Sequence, residues 1–188
     1  MKILLGDLRG RNFYMPDGLR PTQNMVRKAV FDVLGHDLSR IDFLELFAGS
    51  GAVGLEAVSL NVRSVTWVDS DLRCAQVIED NLNLLKLKSY ENPNPQFNVI
   101  AGDAFAVIKQ MAKQNKKFDI AFLDPPYGSG LGKKALKTLV PHDILHPDCL
   151  IIIQYDKWDT QFDQEEGRFK LIKQKKYGSS FLAFYKGT

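Results

Sequence analysis

The sequence contains few of the residues that build cross-links or metal centres. Its two cysteines lie far apart, Cys74 in a helical pattern and Cys149 just before an apolar segment. We therefore expect buried thiols in a reducing compartment and neither a disulfide framework nor a cysteine-based metal cluster. The three histidines, His36, His142 and His146, show no metal-ligand spacing, so no metal site is predicted.

Long apolar segments are absent as well. No apolar run reaches the roughly 20 residues that a transmembrane helix needs. The first residues include Lys2, Asp7, Arg9 and Arg11, a pattern that does not match a signal peptide. With 45% apolar and 25% charged residues over 188 positions, the composition predicts one globular domain, residues 1–188, in the cytoplasm.

Acidic residues are missing from one stretch near the carboxyl terminus. The net charge is only +3, but residues 168–188 contain six basic residues and no acid, and residues 1–28 contain six basic residues against two acids. Clustered basic residues are typical of surfaces that bind nucleic-acid phosphates. Lysines on an edge strand also prevent aggregation, so both interpretations remain open for the carboxyl-terminal run.

Strand-like and helix-like segments alternate through the chain, which indicates an α/β fold with a mostly parallel sheet covered on both faces. The apolar patterns predict seven strands, at 43–47, 65–68, 97–100, 118–123, 150–155, 169–177 and 181–185, the last two as an antiparallel pair. Helices are predicted after Pro21, with Thr22 as N-cap, and at 53–60, 72–87, 102–114 and 133–139. Residues 1–20 are predicted to form an amino-terminal β-hairpin extension, with strands at 2–5 and 12–15.

A glycine-rich turn follows the first central strand. Gly49, Gly51 and Gly54 form a G-x-G-x-x-G pattern between a strand and a helix. Glycines in this setting let the backbone turn tightly and approach a bound nucleoside. A plain strand–helix turn is the alternative. The pattern alone fits a nicotinamide dinucleotide enzyme as well as a methyltransferase.

Asp69, at the end of the next strand, can bind ribose hydroxyls and fits both classes of enzyme. Three features favour S-adenosylmethionine as the cofactor. Glu45 can meet the ammonium of the methionine part, Asp103 can accept from the adenine amino group, and Asp124 follows the fourth strand, next to where a methyl donor would point. Glu45 and Asp103 can instead be helix-capping carboxylates. The cofactor-binding candidates are Glu45, Phe47, Ala48, Gly49, Ser50, Gly51, Asp69, Ser70, Asp103, Ala104 and Asp124.

The catalytic candidates are Asp124, Pro125, Pro126 and Tyr127, which directly follow the apolar strand 118–123. The Asp124 carboxylate and the Pro125 carbonyl can each accept a hydrogen bond from an amino group. The two prolines stiffen the turn, and Tyr127 offers a face on which a base can stack. Together they predict a clamp for a planar amine, although Asp-Pro and Pro-Pro also occur in ordinary turns.

These segments resemble the bacterial 16S rRNA guanine-N2 methyltransferase family (RsmD-like). The resemblance is carried by Leu19-Arg20-Pro21-Thr22, by the segment Phe47–Ala57, which includes the glycine turn, and by Asp124-Pro125-Pro126-Tyr127. It implies a Rossmann-like class I methyltransferase fold, S-adenosylmethionine as methyl donor, and a guanine of an assembling or assembled 30S particle as target. This chain differs from the family pattern at Lys28, Asp69 and Gln154, where the family usually has Glu.

Substrate contacts are predicted on basic residues and one threonine, namely Arg9, Arg11, Arg20, Thr22, Arg27, Lys133 and Lys134. Thr22 is equally well explained as a helix cap. The alternative functions are a DNA adenine-N6 or cytosine-N4 methyltransferase, a protein glutamine methyltransferase, and a non-catalytic RNA-binding ribosome assembly factor. The first two differ from the favoured function in substrate, and the third differs in lacking methyl transfer.

Overall fold

A computed structural model describes residues 1–19, 22–35, 37–87, 96–159 and 162–188. Its helices are α1 (Asn24–Leu34), α2 (Ala52–Ser59), α3 (Leu72–Leu84), α4 (Ala104–Lys113) and α5 (Leu131–Leu139). Its strands are β1 (Asp42–Leu46), β2 (Ser64–Asp69), β3 (Phe97–Ala101), β4 (Phe118–Leu123), β5 (Leu145–Tyr155), β6 (Glu165–Glu166), β7 (Phe169–Tyr177) and β8 (Ser180–Gly187). In these parts of the chain, no helix is long and apolar enough to cross a membrane.

All of these strands join one sheet in the order β3-β2-β1-β4-β5-β8-β7-β6. Strands β1 to β5 are parallel, and β8, β7 and β6 continue the sheet antiparallel. The strand order reverses direction between β1 and β4. Ligands of doubly wound sheets bind at such a switch point, outside the carboxyl ends of the strands. The glycine turn after β1 therefore lies beside the turn after β4. The turn after β4 contains Pro125 and Pro126 of the predicted clamp and is called the proline turn below.

Each face of the sheet has its own apolar core. Phe43 of β1 and Trp67 of β2 are fully buried on the face covered by α1, α2 and α3. Leu44 and Leu46 of β1 are fully buried on the other face, against α4 and α5. The central strands are buried on both faces, so their apolar runs are nearly continuous.

The predicted fold class is confirmed, but the predicted count of seven strands is too low. Glu165 pairs with Lys170, and Glu166 pairs with Phe169, which adds the short edge strand β6. A two-residue strand of glutamates has no apolar periodicity, so the sequence pattern could not reveal it.

The amino-terminal segment pairs less regularly than the predicted hairpin. Lys2 and Asn12 form an isolated antiparallel bridge, and neither segment is a regular strand. The amides of Leu4 and Leu5 donate to the carboxylate of Glu56 in α2. Backbone hydrogen bonds pair Met1 with Phe13 and Ile3 with Arg11. The Leu5 amide cannot extend this ladder, and the regular strands predicted at 2–5 and 12–15 are wrong.

Candidate functional site

The glycine turn has a backbone that few residue types allow. Phe47, Gly49 and Gly51 all have positive φ, at 58°, 55° and 70°. Such angles are ordinary for glycine but strained for phenylalanine, and strain of this kind clusters at ligand sites. The Gly51 amide donates to the Ala48 carbonyl at 2.8 Å, which closes the turn just before α2 begins. Ala48 and Ser50 are buried within the turn.

The Asp69 carboxylate holds this turn against the end of β2. One oxygen accepts from the Gly49 amide at 2.8 Å, and the other accepts from the Asp71 amide at 2.9 Å. Asp71 caps α3 by accepting from the Arg73 amide, and the neighbouring Ser70 is exposed. Each carboxylate oxygen can accept a second hydrogen bond. A ribose contact by Asp69 therefore remains a prediction that this geometry permits.

Glu45 is almost fully buried, with 2% of its surface exposed. Its carboxylate accepts from the Gly54 amide at 2.7 Å, in the first turn of α2. Burial raises the pKa of Glu45 to about 8, and the nearby Asp124 charge adds to the increase, while the Gly54 amide opposes it. The helix-terminus alternative for Glu45 is thus confirmed. Contact with a cofactor ammonium stays a prediction.

Gly54 lies where a side chain has no room. An added Cβ would stand 2.3 Å from the Trp67 indole nitrogen and 2.7 Å from a Glu45 carboxylate oxygen. Because both neighbours are buried, Gly54→Ala is expected to lower the free energy of unfolding by about 1–3 kcal/mol, as measured by urea denaturation. Gly132→Ala in α5 is the comparison and should lose less stability, since its Cβ would stand 3.1 Å from its nearest neighbour, a methyl group of Ile153. Equal stability of Gly54→Ala and wild type would contradict the packing argument.

Asp103 stands between β3 and α4, at the same edge of the sheet. Its carboxylate accepts from the Ala106 amide at 2.9 Å and so caps α4, whose first residue is the buried Ala104. The capping alternative for Asp103 is confirmed. The side chain is also exposed, so an adenine contact remains a prediction.

The proline turn is joined to β1 through its first residue. The Asp124 amide donates to the Leu46 carbonyl at 3.3 Å, which brings Asp124 to the glycine turn. The Thr22 hydroxyl donates to the Asp124 carboxylate at 3.0 Å. Burial raises the pKa of Asp124 to about 6, and the Thr22 hydrogen bond partly opposes the increase. The carboxyl group therefore titrates close to neutral pH.

Thr22 has a different role from the one expected of a helix cap. The N-cap of α1 is Gln23, which makes no side-chain capping bond. The capping alternative for Thr22 is therefore wrong, because its hydroxyl points to Asp124. The sequence separation of 102 residues explains why no local pattern could have indicated this contact.

Tyr127 is held by two polar neighbours. The Gln154 amide donates to the Tyr127 hydroxyl at 2.7 Å, and the Ser180 hydroxyl lies 3.2 Å away. Gln154 is 1% exposed, and its amide oxygen has no hydrogen-bond partner among the described residues. At position 154 the site thus contains a buried, neutral glutamine that donates a hydrogen bond, whereas the family resemblance led us to expect glutamate there. Pro125 is buried and Pro126 is exposed in the same turn.

The residues predicted to contact substrate are in several different environments. Arg27 is 1% exposed and pairs with Glu56 at 2.7 Å, so its predicted substrate contact is wrong. Arg11 is exposed and donates to the carbonyls of Leu84 and Leu85 at the end of α3. Arg20 lies outside the described residues, as do Pro21 and His36.

The remaining predicted contacts are at the surface. Arg9 is exposed in the amino-terminal segment. Lys133 pairs with Asp163 at 2.8 Å, and the Lys134 ammonium lies 4.2 Å from the centre of the Phe105 ring. RNA contacts by Arg9, Arg11, Lys133 and Lys134 stay predictions.

Comparisons with known proteins agree with this architecture. The model of a family described as "Conserved hypothetical protein 95" matches residues 1–186. "Ribosomal RNA small subunit methyltransferase D" of Haemophilus influenzae is 32% identical over 180 residues, which cover 95% of this chain and 89% of that protein. The solved structure of yhhF from Escherichia coli is similar with a TM-score of 0.82 at 28% identity, covering 100% of this chain and 97% of that one.

A more distant solved structure, SMU.776 complexed with SAH, shares the fold with a TM-score of 0.69 at 14% identity. It is matched over 90% of this chain and 51% of its own length. Together with the strand order, these likenesses confirm the predicted class I methyltransferase fold.

Proposed function

Because this chain belongs to the Conserved hypothetical protein 95 family, as its sequence resemblance implied, we propose that it transfers a methyl group from S-adenosylmethionine to a ribosomal RNA. The target we propose is the exocyclic N2 amine of a guanine in the small-subunit RNA, within an assembling or assembled 30S particle. The naming of the Haemophilus influenzae relative supports the class of substrate. The choice of N2 rests on the chemistry of the clamp.

The observation that carries the proposal is the position of Asp124 beside the glycine turn. A backbone hydrogen bond of 3.3 Å to Leu46 holds Asp124 next to the glycine turn. In this proposal the glycine turn holds the cofactor and the Asp124 carboxylate accepts from the amine. The cofactor supplies an electrophilic methyl group when bound. The enzyme's main contribution to such an in-line displacement is to align the amine with that methyl group.

The guanine N2 amine needs activation because its lone pair is delocalised into the ring. Asp124 and the Pro125 carbonyl would accept its two hydrogens and favour a pyramidal, more nucleophilic nitrogen. Tyr127 would stack on the base, which must leave its helix or lie in an accessible loop. After transfer, the proton can pass to Asp124 or to water.

The direct test is methyl transfer from labelled S-adenosylmethionine into small ribosomal subunits from a strain that lacks the enzyme. Naked ribosomal RNA, DNA and protein serve as parallel substrates, and nuclease digestion identifies the product. N2-methylguanosine in the ribosomal RNA is expected. Label in DNA adenine or cytosine, or in protein, would overturn the substrate, and bound cofactor without any transfer would favour a binding factor.

Thr22 gives a prediction about pH dependence. The Asp124 carboxylate must be ionised to accept its amine hydrogen strongly, so kcat/KM is expected to fall as the pH drops below the Asp124 pKa of about 6. Thr22→Val removes the hydroxyl that donates to the charged Asp124 carboxylate, which raises the pKa of Asp124. The fall of kcat/KM on the acidic side of the pH profile (the acid limb) then moves to higher pH. A shift of about half to one pH unit is expected, because a hydrogen bond contributes about 0.5–1.5 kcal/mol and one pKa unit corresponds to about 1.4 kcal/mol.

The control for this prediction is Thr22→Ser, which keeps the hydroxyl and should keep the wild-type profile. The measurement is kcat/KM for small subunits between pH 5 and 8 for all three proteins. An unshifted acid limb in Thr22→Val would show that Asp124 does not set it.

A further inference from the structure

A pocket opens beside Tyr127, on the side of the clamp where β5 ends and β8 begins. It has a volume of about 410 Å³, within the range of roughly 300–1,000 Å³ found for ligand pockets. We call it the side pocket. Its wall includes Tyr127, Lys157, Trp158, Lys176 and Phe181. Because Tyr127 belongs to both the clamp and this wall, the side pocket lies directly beside the clamp.

Trp158 presents its indole to solvent in an unusual way. The side chain is 74% exposed, whereas Trp67, the other tryptophan in the sequence, is fully buried. The Trp158 amide donates to the Asp156 carboxylate at 2.8 Å, and the Asp156 amide donates to the Asp159 carboxylate at 3.1 Å. The loop that carries the indole is therefore tied by its own hydrogen bonds. A large aromatic side chain held in solvent is a candidate stacking surface for a base.

Two lysines border the same pocket. The Lys157 ammonium lies 4.6 Å from the centre of a Trp158 ring, and the Lys176 ammonium lies 5.8 Å from the Phe181 ring centre. The acidic residue in the lining is Asp156, whose carboxylate already accepts from the Trp158 amide. The pocket thus combines an aromatic face with an excess of positive charge, which are the two features that bind single-stranded nucleic acid.

We propose that the side pocket binds a nucleotide of the substrate RNA next to the target guanine. Its base stacks on Trp158, and Lys176 and Lys157 hold a neighbouring phosphate. The inference rests on the proposed function, since it extends the RNA path from the clamp outward. It also gives one basic residue of 168–188 a role, because Lys176 of β7 lines the pocket.

Kinetics with small ribosomal subunits test the proposal. Trp158→Ala is expected to raise KM for the subunits by about 5- to 100-fold, the effect of losing one stacked base, with the affinity for S-adenosylmethionine unchanged. Trp158→Phe should retain most of the affinity, because it keeps a ring. Lys176→Ala should raise KM and weaken its salt dependence. Lys113→Ala, in the last turn of α4, is the matched lysine control and should leave KM unchanged.

Fluorescence gives a readout that does not need methyl transfer. A short single-stranded RNA with one guanine should quench the tryptophan emission of the wild-type protein but not that of Trp158→Phe.

A wild-type KM in an active Trp158→Ala enzyme would overturn the side-pocket inference and leave the proposed function intact. Absence of methyl transfer by the wild-type protein would instead reject the proposed function. The fluorescence measurement would then still show whether the side pocket binds RNA. A defect of Trp158→Ala on assembled particles without any quenching by RNA would assign the pocket to a protein partner and overturn the inference.

Discussion

Asp124→Asn is expected to lower kcat for methyl transfer by about 10²- to 10⁴-fold, the range associated with loss of a positioned catalytic carboxyl group. Asparagine keeps the size of the side chain and the hydrogen bond from Thr22, but it carries no charge and has one acceptor oxygen. It cannot take up a proton from the amine, and it accepts the amine hydrogens more weakly. The measurement is single-turnover transfer to small ribosomal subunits, together with the affinity for S-adenosylmethionine by calorimetry.

Cofactor affinity separates a catalytic role for Asp124 from a purely structural one. It is expected to change little in Asp124→Asn, because the glycine turn is held by Asp69 and by backbone bonds that do not involve the Asp124 side chain. Asp143→Asn is the matched control, since Asp143 is exposed and pairs with Lys117. Near wild-type turnover in Asp124→Asn, or a loss of cofactor affinity in step with turnover, would refute the assigned role.

Arg27→Ala is expected to reduce the free energy of unfolding by about 3–5 kcal/mol, because it leaves Glu56 buried without its partner. Arg27 donates to Glu56 at 2.7 Å and to the Lys2 carbonyl at 3.2 Å. Glu56 also accepts from the Leu4 amide at 2.9 Å. Burial is the largest influence on both groups, lowering the pKa of Arg27 and raising that of Glu56. The pair therefore ties the amino-terminal segment to α1 and α2 at a high desolvation cost.

Two comparisons make the Arg27 prediction specific. The double variant Arg27→Met/Glu56→Gln removes both charges and is expected to lose less stability than Arg27→Ala, since no unpaired charge remains. Arg63→Ala breaks a pair with Asp42 in which the arginine side chain is 48% exposed, so it should cost about 1 kcal/mol or less. Urea denaturation measures all three. Equal losses in Arg27→Ala and Arg63→Ala would show that burial of the Arg27 pair does not govern its contribution.

The buried arginine also shows where sequence reasoning failed. The basic residues of 1–28 form one cluster along the chain, yet Arg9 is exposed while Arg27 is enclosed beneath the amino-terminal segment. In α1, Arg27 occupies the same face as the apolar Val26 and Val30, and only its partner on α2 makes that burial possible. A charge pattern cannot distinguish the two outcomes, because the partner is 29 residues away.

The edge of the sheet that carries the site was predictable from the sequence. Near-continuous apolar strands alternating with helices indicate a parallel sheet, and the turns after 43–47 and 118–123 must then emerge at the same edge. The structure confirms this, with Asp124 bonded to the end of β1. The family was also recognisable, because its motifs are local strings of residues.

The sequence by itself determined the fold class, the family and the two turns of the site, since these depend on local periodicity and on short motifs. Only the tertiary structure decided that Thr22 binds Asp124, that Gln154 and Ser180 hold Tyr127, and that Trp158 lies exposed beside them. Those contacts join residues from distant parts of the chain. They follow from how the strands are ordered and how the loops pack, and a one-dimensional pattern carries no information about either.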